Sequence, residues 1–163
     1  MTKNSFLIAA IIGLLLVGGG GFAFYTMKMN SSNFRGIAFP VKPVKDDVRK
    51  EWAKGFKEVL SQEDVLQAIV DETDYASKVE VSPDEAVSHL KKAIKVRIKS
   101  SNDTIEIGLM GKRKYDKAIQ EVAPVVYEKG VAAMVSSVAN FRDYEENLRK
   151  VRAEAEAEKQ GSE

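Results

Sequence analysis

Residues 82–109 read SPDEAVSHLKKAIKVRIKSSNDTIEIGL, and the change of apolar spacing inside this stretch decides the fold. Ser82 stands at a cap position, Pro83 at a first helical position and Glu85 at the third, each satisfying or avoiding an orphan backbone amide. A helix from Pro83 to about Ala93 follows, presenting Ala86, Val87, Leu90, Ala93 and Ile94 inward. Alternation then replaces helical spacing. Ile94, Val96 and Ile98 share one face, the polar Ser100-Ser101-Asn102-Asp103 turns the chain, and Ile105, Ile107 and Leu109 return. This is the pattern of an antiparallel hairpin with one buried face. A two-stranded hairpin is marginal in water, so it needs a third strand. The strongly β-like run Phe34 to Phe39, ended by Pro40 and Pro43, is expected to join Lys95–Lys99 and Thr104–Leu109, with helices packed on one face. The fold class is α/β in the broad sense, more narrowly α+β.

Helical spacing recurs on both sides of this unit. Asp46 or Asp47 starts a helix to about Leu60 with Val48, Trp52, Phe56, Val59 and Leu60 on one face. Ser61-Gln62-Glu63-Asp64 resembles a capping box for a second helix striped by Val65, Leu66, Ile69 and Val70. From about Asp116 to Lys159 the pattern is helical again, expected to bend near Pro124 and loosen at Gly130. Val131, Met134, Val138, Phe141 and Leu148 fall on a heptad-like stripe interrupted by Glu145 and Arg152. The later turns are expected to project from the domain, with this stripe covered by a second copy in a homo-oligomer.

The run Ser5 to Met27 carries no charge and is flanked by Lys3 and Lys28. As a helix it is long enough to cross a hydrocarbon layer of about 30 Å. Gly18 to Gly21 weaken it, and Gly21-Phe22-Ala23 offers a signal-peptidase pattern after an apolar core ending near Val17. A retained anchor is favoured over a cleaved signal because the uncharged stretch outruns an ordinary signal core. Either alternative exports the rest of the chain. Lys28, Arg35, Lys42 and Lys45 after the run oppose that orientation under the positive-inside rule, although long domains translocate largely regardless of charge. The expected plan is a leader (1–4), a transmembrane anchor (5–27), a linker (28–33), an α/β domain (34–129) and a projecting helix with a charged tail (130–163).

Past Met27, basic and acidic residues are equal in number, which removes any net-charge case for nucleic acid. Cysteine is absent, which excludes disulfides, thiolate zinc sites and cysteine nucleophiles. His89 is the sole histidine, and Glu85 lies one helical turn from it. No nucleophile marks it for catalysis, so no enzyme and no cofactor are expected. Asp71, Glu72 and Asp74 lack the calcium-loop glycine and spacing and read as a solvated helix end. Lys112, Arg113 and Lys114 form a candidate anion contact between the hairpin and the next helix start, for an anionic polymer, a lipid phosphate or an acidic neighbour.

The segments Leu60–Val70, Ser82–Val96 and Tyr115–Ala123, with the hairpin between the last two, together resemble the periplasmic domain of the Wzz-type chain-length determinants, the polysaccharide co-polymerases of bacterial envelopes. The resemblance covers roughly Phe34 to Tyr127. It implies a single-pass protein of the bacterial cytoplasmic (inner) membrane with its C-terminal domain extracytoplasmic. By the same resemblance it is a non-enzymatic, oligomeric scaffold or accessory factor in surface polysaccharide assembly, chain-length regulation or export, partnered by polysaccharide polymerase or export proteins. Two departures stand out. Lys114-Tyr115 replaces the family's Asp-Pro step, and no second apolar run follows the long helix. The alternative is an anchored or secreted interaction module of another envelope machine, such as a pilus or secretion apparatus.

Overall fold

Three stretches with strand-like alternation pair into one antiparallel sheet, and the helices between them bury its apolar side. The structure, a computed structural model, describes residues 28–42 and 44–160. In chain order the elements are β1 (Ser32–Pro40), α1 (Asp46–Val59), α2 (Glu63–Thr73), the single turn α3 (Tyr75–Lys78), α4 (Pro83–Ala93), β2 (Ile94–Lys99), β3 (Thr104–Lys112), α5 (Asp116–Ser137) and α6 (Ala139–Gln160). The expected transmembrane run 5–27 lies outside the described residues. Among the described residues no helix is long and apolar enough to cross a membrane.

The expected third strand joins the hairpin, and it does so along β3, giving the sheet order β1-β3-β2. Phe39 stands opposite Ile105, Ile37 opposite Ile107 and Val96 opposite Ile107. The period of two therefore gathers Phe39, Val96, Ile105, Ile107 and Leu109 on one buried face. Strand β1 begins two residues earlier than expected, so Ser32 and Asn33 belong to the sheet rather than to a linker. On the outer face Gly36 lies opposite Gly108, and a Cβ at Gly108 would come within 2.0 Å of the Arg35 carbonyl oxygen.

Helix α1 buries Trp52, Ala53, Phe56 and Val59, and α2 buries Leu66, Ile69, Val70 and Thr73. Helix α4 has the bounds that its start signal gave, and Ala86, Leu90 and Ala93 are its buried residues. Its Ser82 hydroxyl donates to the Glu85 carboxylate at 2.8 Å, while the Glu85 amide donates to the Ser82 carbonyl at 3.0 Å. Neither expected capping box forms: the Ser82 hydroxyl bonds the Glu85 carboxylate, and no side chain caps a backbone amide at the start of α4 or α2. Ser61 turns back to donate to the Lys57 carbonyl at 2.6 Å, and Gln62 takes the cap position of α2 without a side-chain bond.

The long C-terminal helix is two helices. Pro124 sits inside α5 on its exposed side without interrupting it. Gly130 is buried where an added Cβ would meet Leu60 at 3.3 Å, so it permits a close helix contact instead of loosening the turn. The break comes at Val138, whose backbone is extended at φ −128° and ψ 104°. Arg142 covers the freed end of α5, donating from Nε to the Val135 carbonyl at 2.9 Å. Beyond the break, Phe141 packs among Phe39, Trp52 and Phe56 with ring centroids 5.1, 5.2 and 5.2 Å away. The Tyr144 hydroxyl lies 3.1 Å from the carbonyls of both Pro40 and Lys42.

This arrangement corrects the expected oligomer interface. Met134 and Phe141 are fully buried in the chain's own core, Val131 is nearly so, and Val138 and Leu148 pack against it. The stripe covers the domain that carries it, because the break lets the start of α6 close over the aromatic residues of β1 and α1. A division at residue 130 likewise falls inside α5 and through the core.

Candidate functional site

The sheet has two unlike ends. Where β1 finishes, the aromatic residues of β1, α1 and α6 close the core. Where β1 begins, the end of β3, the end of α4 and the segment after α3 leave a cleft of about 520 Å³. Its walls include Ser32, Tyr75, His89, Lys92, Lys112 and Ile119. Val79, Val81, Ala93 and Met110 add apolar surface between these polar groups.

The basic run predicted as an anion contact arrives at this end because the sheet register puts it there. Lys112 pairs with Ser32, and the Arg113 amide donates to the Ser31 carbonyl at 2.9 Å. The three cations have different surroundings. Lys112 lines the cleft, and Arg113 is exposed at its side. Lys114 is held by Glu80 at 2.8 Å and stacks over the Tyr115 ring at 4.3 Å. Glu80 also accepts from the Tyr115 hydroxyl at 2.9 Å. These two donors, Lys114 foremost, hold the Glu80 carboxyl below its usual range, and the same contact raises the Lys114 ammonium. Glu80 reaches them from a left-handed backbone at φ 57°, a conformation uncommon for its type.

His89 does not pair with Glu85, which Ser82 occupies. Its Nδ1 lies 3.0 Å from the hydroxyl of Tyr75. Tyr75 is buried, and burial pushes its hydroxyl up to about 12, so at neutral pH it holds its proton. It has no other hydrogen-bond partner among the described residues, so this bond, in whichever direction the ring tautomer sets, holds the imidazole in place. The side wall is braced by Arg35, whose Nε and Nη2 donate to Asp116 at 2.9 and 2.6 Å, with Asn33 Nδ2 adding 2.6 Å. Asp116 opens α5, so its charge also favours the helix dipole.

Sequence reasoning placed Lys112 but missed Tyr75, Glu80 and Lys92, which come to the cleft from other elements. The signal for Tyr75 was weak, since no periodic pattern links it to His89. Asp71, Glu72 and Asp74 hold no metal-binding arrangement, and no group of three metal-ligating side chains occurs among the described residues. Family models, curated proteins and solved structures yield no match to this chain.

Proposed function

We propose that this chain is a membrane-anchored, non-enzymatic envelope protein whose domain sits with its basic end against the membrane surface and serves as an accessory factor in surface polysaccharide assembly or export. The observation that carries the location is the bond from the Arg113 amide to the Ser31 carbonyl. It holds the basic run beside the chain only four residues after the end of the uncharged run, within reach of headgroup charge on either anchored orientation. The polysaccharide role rests on the Wzz-type resemblance alone. Control of spacing by a ring of copies through the α5–α6 stripe is not part of this proposal, because the domain uses that stripe for its own core.

Deleting the gene and sizing surface polysaccharide on a gel tests the role. A changed length distribution or amount is expected. An unchanged profile removes the polysaccharide role and leaves the alternative, an interaction module of a pilus or secretion apparatus. A reporter joined after Glu163 tests the topology and should be active only outside the cytoplasm. Protein beginning at or near Met1 would show a retained anchor, whereas a start at Phe24 would show cleavage after Ala23.

A further inference from the structure

The cleft at the start of β1 combines an apolar interior with cations that the fold leaves uncommitted. Its volume of about 520 Å³ is that of a small-ligand site. Lys92 and Lys112 line it, and neither makes an ion pair among the described residues. His89 presents Nε2 without a protein partner among those residues, while the buried Tyr75 fixes the ring through Nδ1. Among the described residues that line the cleft, the carboxylate is Glu80, which pairs with Lys114 and accepts from the Tyr115 hydroxyl. Lys95 is held on the Lys92 carbonyl at 2.8 Å, which fixes the end of α4 where the two walls meet. Val81 and Met110, half-buried on the cleft wall, supply surface that a free inorganic anion would not use.

We propose that this cleft binds the phosphate group of an anionic membrane lipid, with Lys92, Lys112 and His89 around the phosphate and the first part of the lipid chain lying on Val81 and Met110. Charge complementarity selects an anion, and the apolar interior selects one that carries a hydrocarbon chain. The position beside Ser31 and Ser32, close after the uncharged run, brings the cleft to where such lipids are found. This last step rests on the proposed anchoring; the chemistry of the cleft does not.

The test uses the full chain purified in detergent, with lipid retention measured by native mass spectrometry against phosphatidylglycerol and phosphatidylcholine. Phosphatidylglycerol should be retained in preference. The double variant Lys92→Gln/Lys112→Gln changes exposed side chains only, should keep the wild-type circular dichroism spectrum, and should retain it about thirtyfold less well. Equal retention of the two lipids, or a double variant that binds as well as the wild type, overturns the proposal. Displacement of phosphatidylglycerol by millimolar inorganic phosphate would also overturn it, since the site would then take a free anion. Alkaline extraction of cell membranes checks the anchoring separately. A chain that is released yet still retains phosphatidylglycerol would sink the anchor and leave the lipid site standing.

Discussion

Arg35 on β1 grips Asp116, the first residue of α5, through two parallel hydrogen bonds of 2.9 and 2.6 Å across 81 residues of sequence. This fork ties the edge of the sheet to the start of the helix that covers it, beside the cleft. The Arg35 guanidinium, followed by the Asn33 amide, holds the Asp116 carboxyl below its usual 3.8. A depressed carboxyl contributes stability that is fully present above 3.8 and lost as pH falls through the lower folded value. Asp116→Asn should therefore be less stable than wild type at neutral pH, with the difference shrinking as pH drops below about 4. Urea unfolding at a series of pH values measures this. A gap that stays constant into strong acid would show that the charge does not matter. Half-molar salt should narrow the gap at neutral pH, because Arg35 is about half exposed.

Two glycines that face each other across β1 and β3 should respond differently to the same methyl. At Gly108 an added Cβ meets backbone, 2.0 Å from the Arg35 oxygen and 2.3 Å from the Gly36 Cα, so the strands must part. Gly108→Ala is expected to cost about 3 kcal/mol or more. At Gly36 the nearest atoms belong to the Phe34 ring, at 2.5 and 2.8 Å, and a side chain can move. Its movement gives up the stacking of Arg97, whose guanidinium carbon lies 4.0 Å from the ring centroid, so Gly36→Ala should cost about 1 kcal/mol. Thermal unfolding of the two variants side by side decides it; equal losses would mean that the strands separate readily.

The Tyr75 hydroxyl should ionise well above the ordinary tyrosine range. Burial raises it from 10.0 to about 12, so the fold favours the neutral form. That contribution is intact below 10 and is lost as pH climbs toward 12. In an alkaline titration followed by tyrosinate absorbance, Tyr75→Phe should remove amplitude from the part of the curve well above 10. Loss of amplitude near 10 instead would place the Tyr75 hydroxyl in water. The same substitution frees His89 Nδ1 and should cost about 1 kcal/mol at neutral pH.

What could be read from the sequence was set by local chemistry. Helix α4 had bounds that agreed with the structure because Ser82, Pro83 and Glu85 act within one turn, and the hairpin followed because a spacing of two is unambiguous between Ile94 and Leu109. The third strand followed from what a hairpin lacks. Ser61 misled, since the same hydroxyl that can cap α2 can also bond back to Lys57 at the end of α1, and sequence does not choose between them. The cleft was legible only at Lys112. Tyr75, Glu80 and Lys92 reach it through packing of separate elements. The break at Val138 was hidden for a related reason: Pro124 and Gly130 carry the local signals, but neither breaks the helix, whereas Phe141 and Tyr144 find partners on β1 and in the loop after it that only the folded chain supplies.

Phe141 distinguishes a core residue from an assembly residue. Its ring is fully buried and touches Phe39, Trp52 and Phe56, three residues of the same chain. Phe141→Ala should cost about 3–5 kcal/mol through lost contacts and the cavity left behind. Phe141→Asp, alone or with Val138→Asp, puts an unpaired carboxylate in that cavity and should prevent stable folding. An interface residue would behave otherwise. Its truncation would leave the monomer's stability intact, and the loss would depend on protein concentration because association stabilises by mass action. Unfolding of Phe141→Ala at two concentrations a hundredfold apart separates the two cases, with coincident curves expected. A concentration-dependent midpoint in the wild type that vanishes in the variant would restore the stripe as a contact between copies.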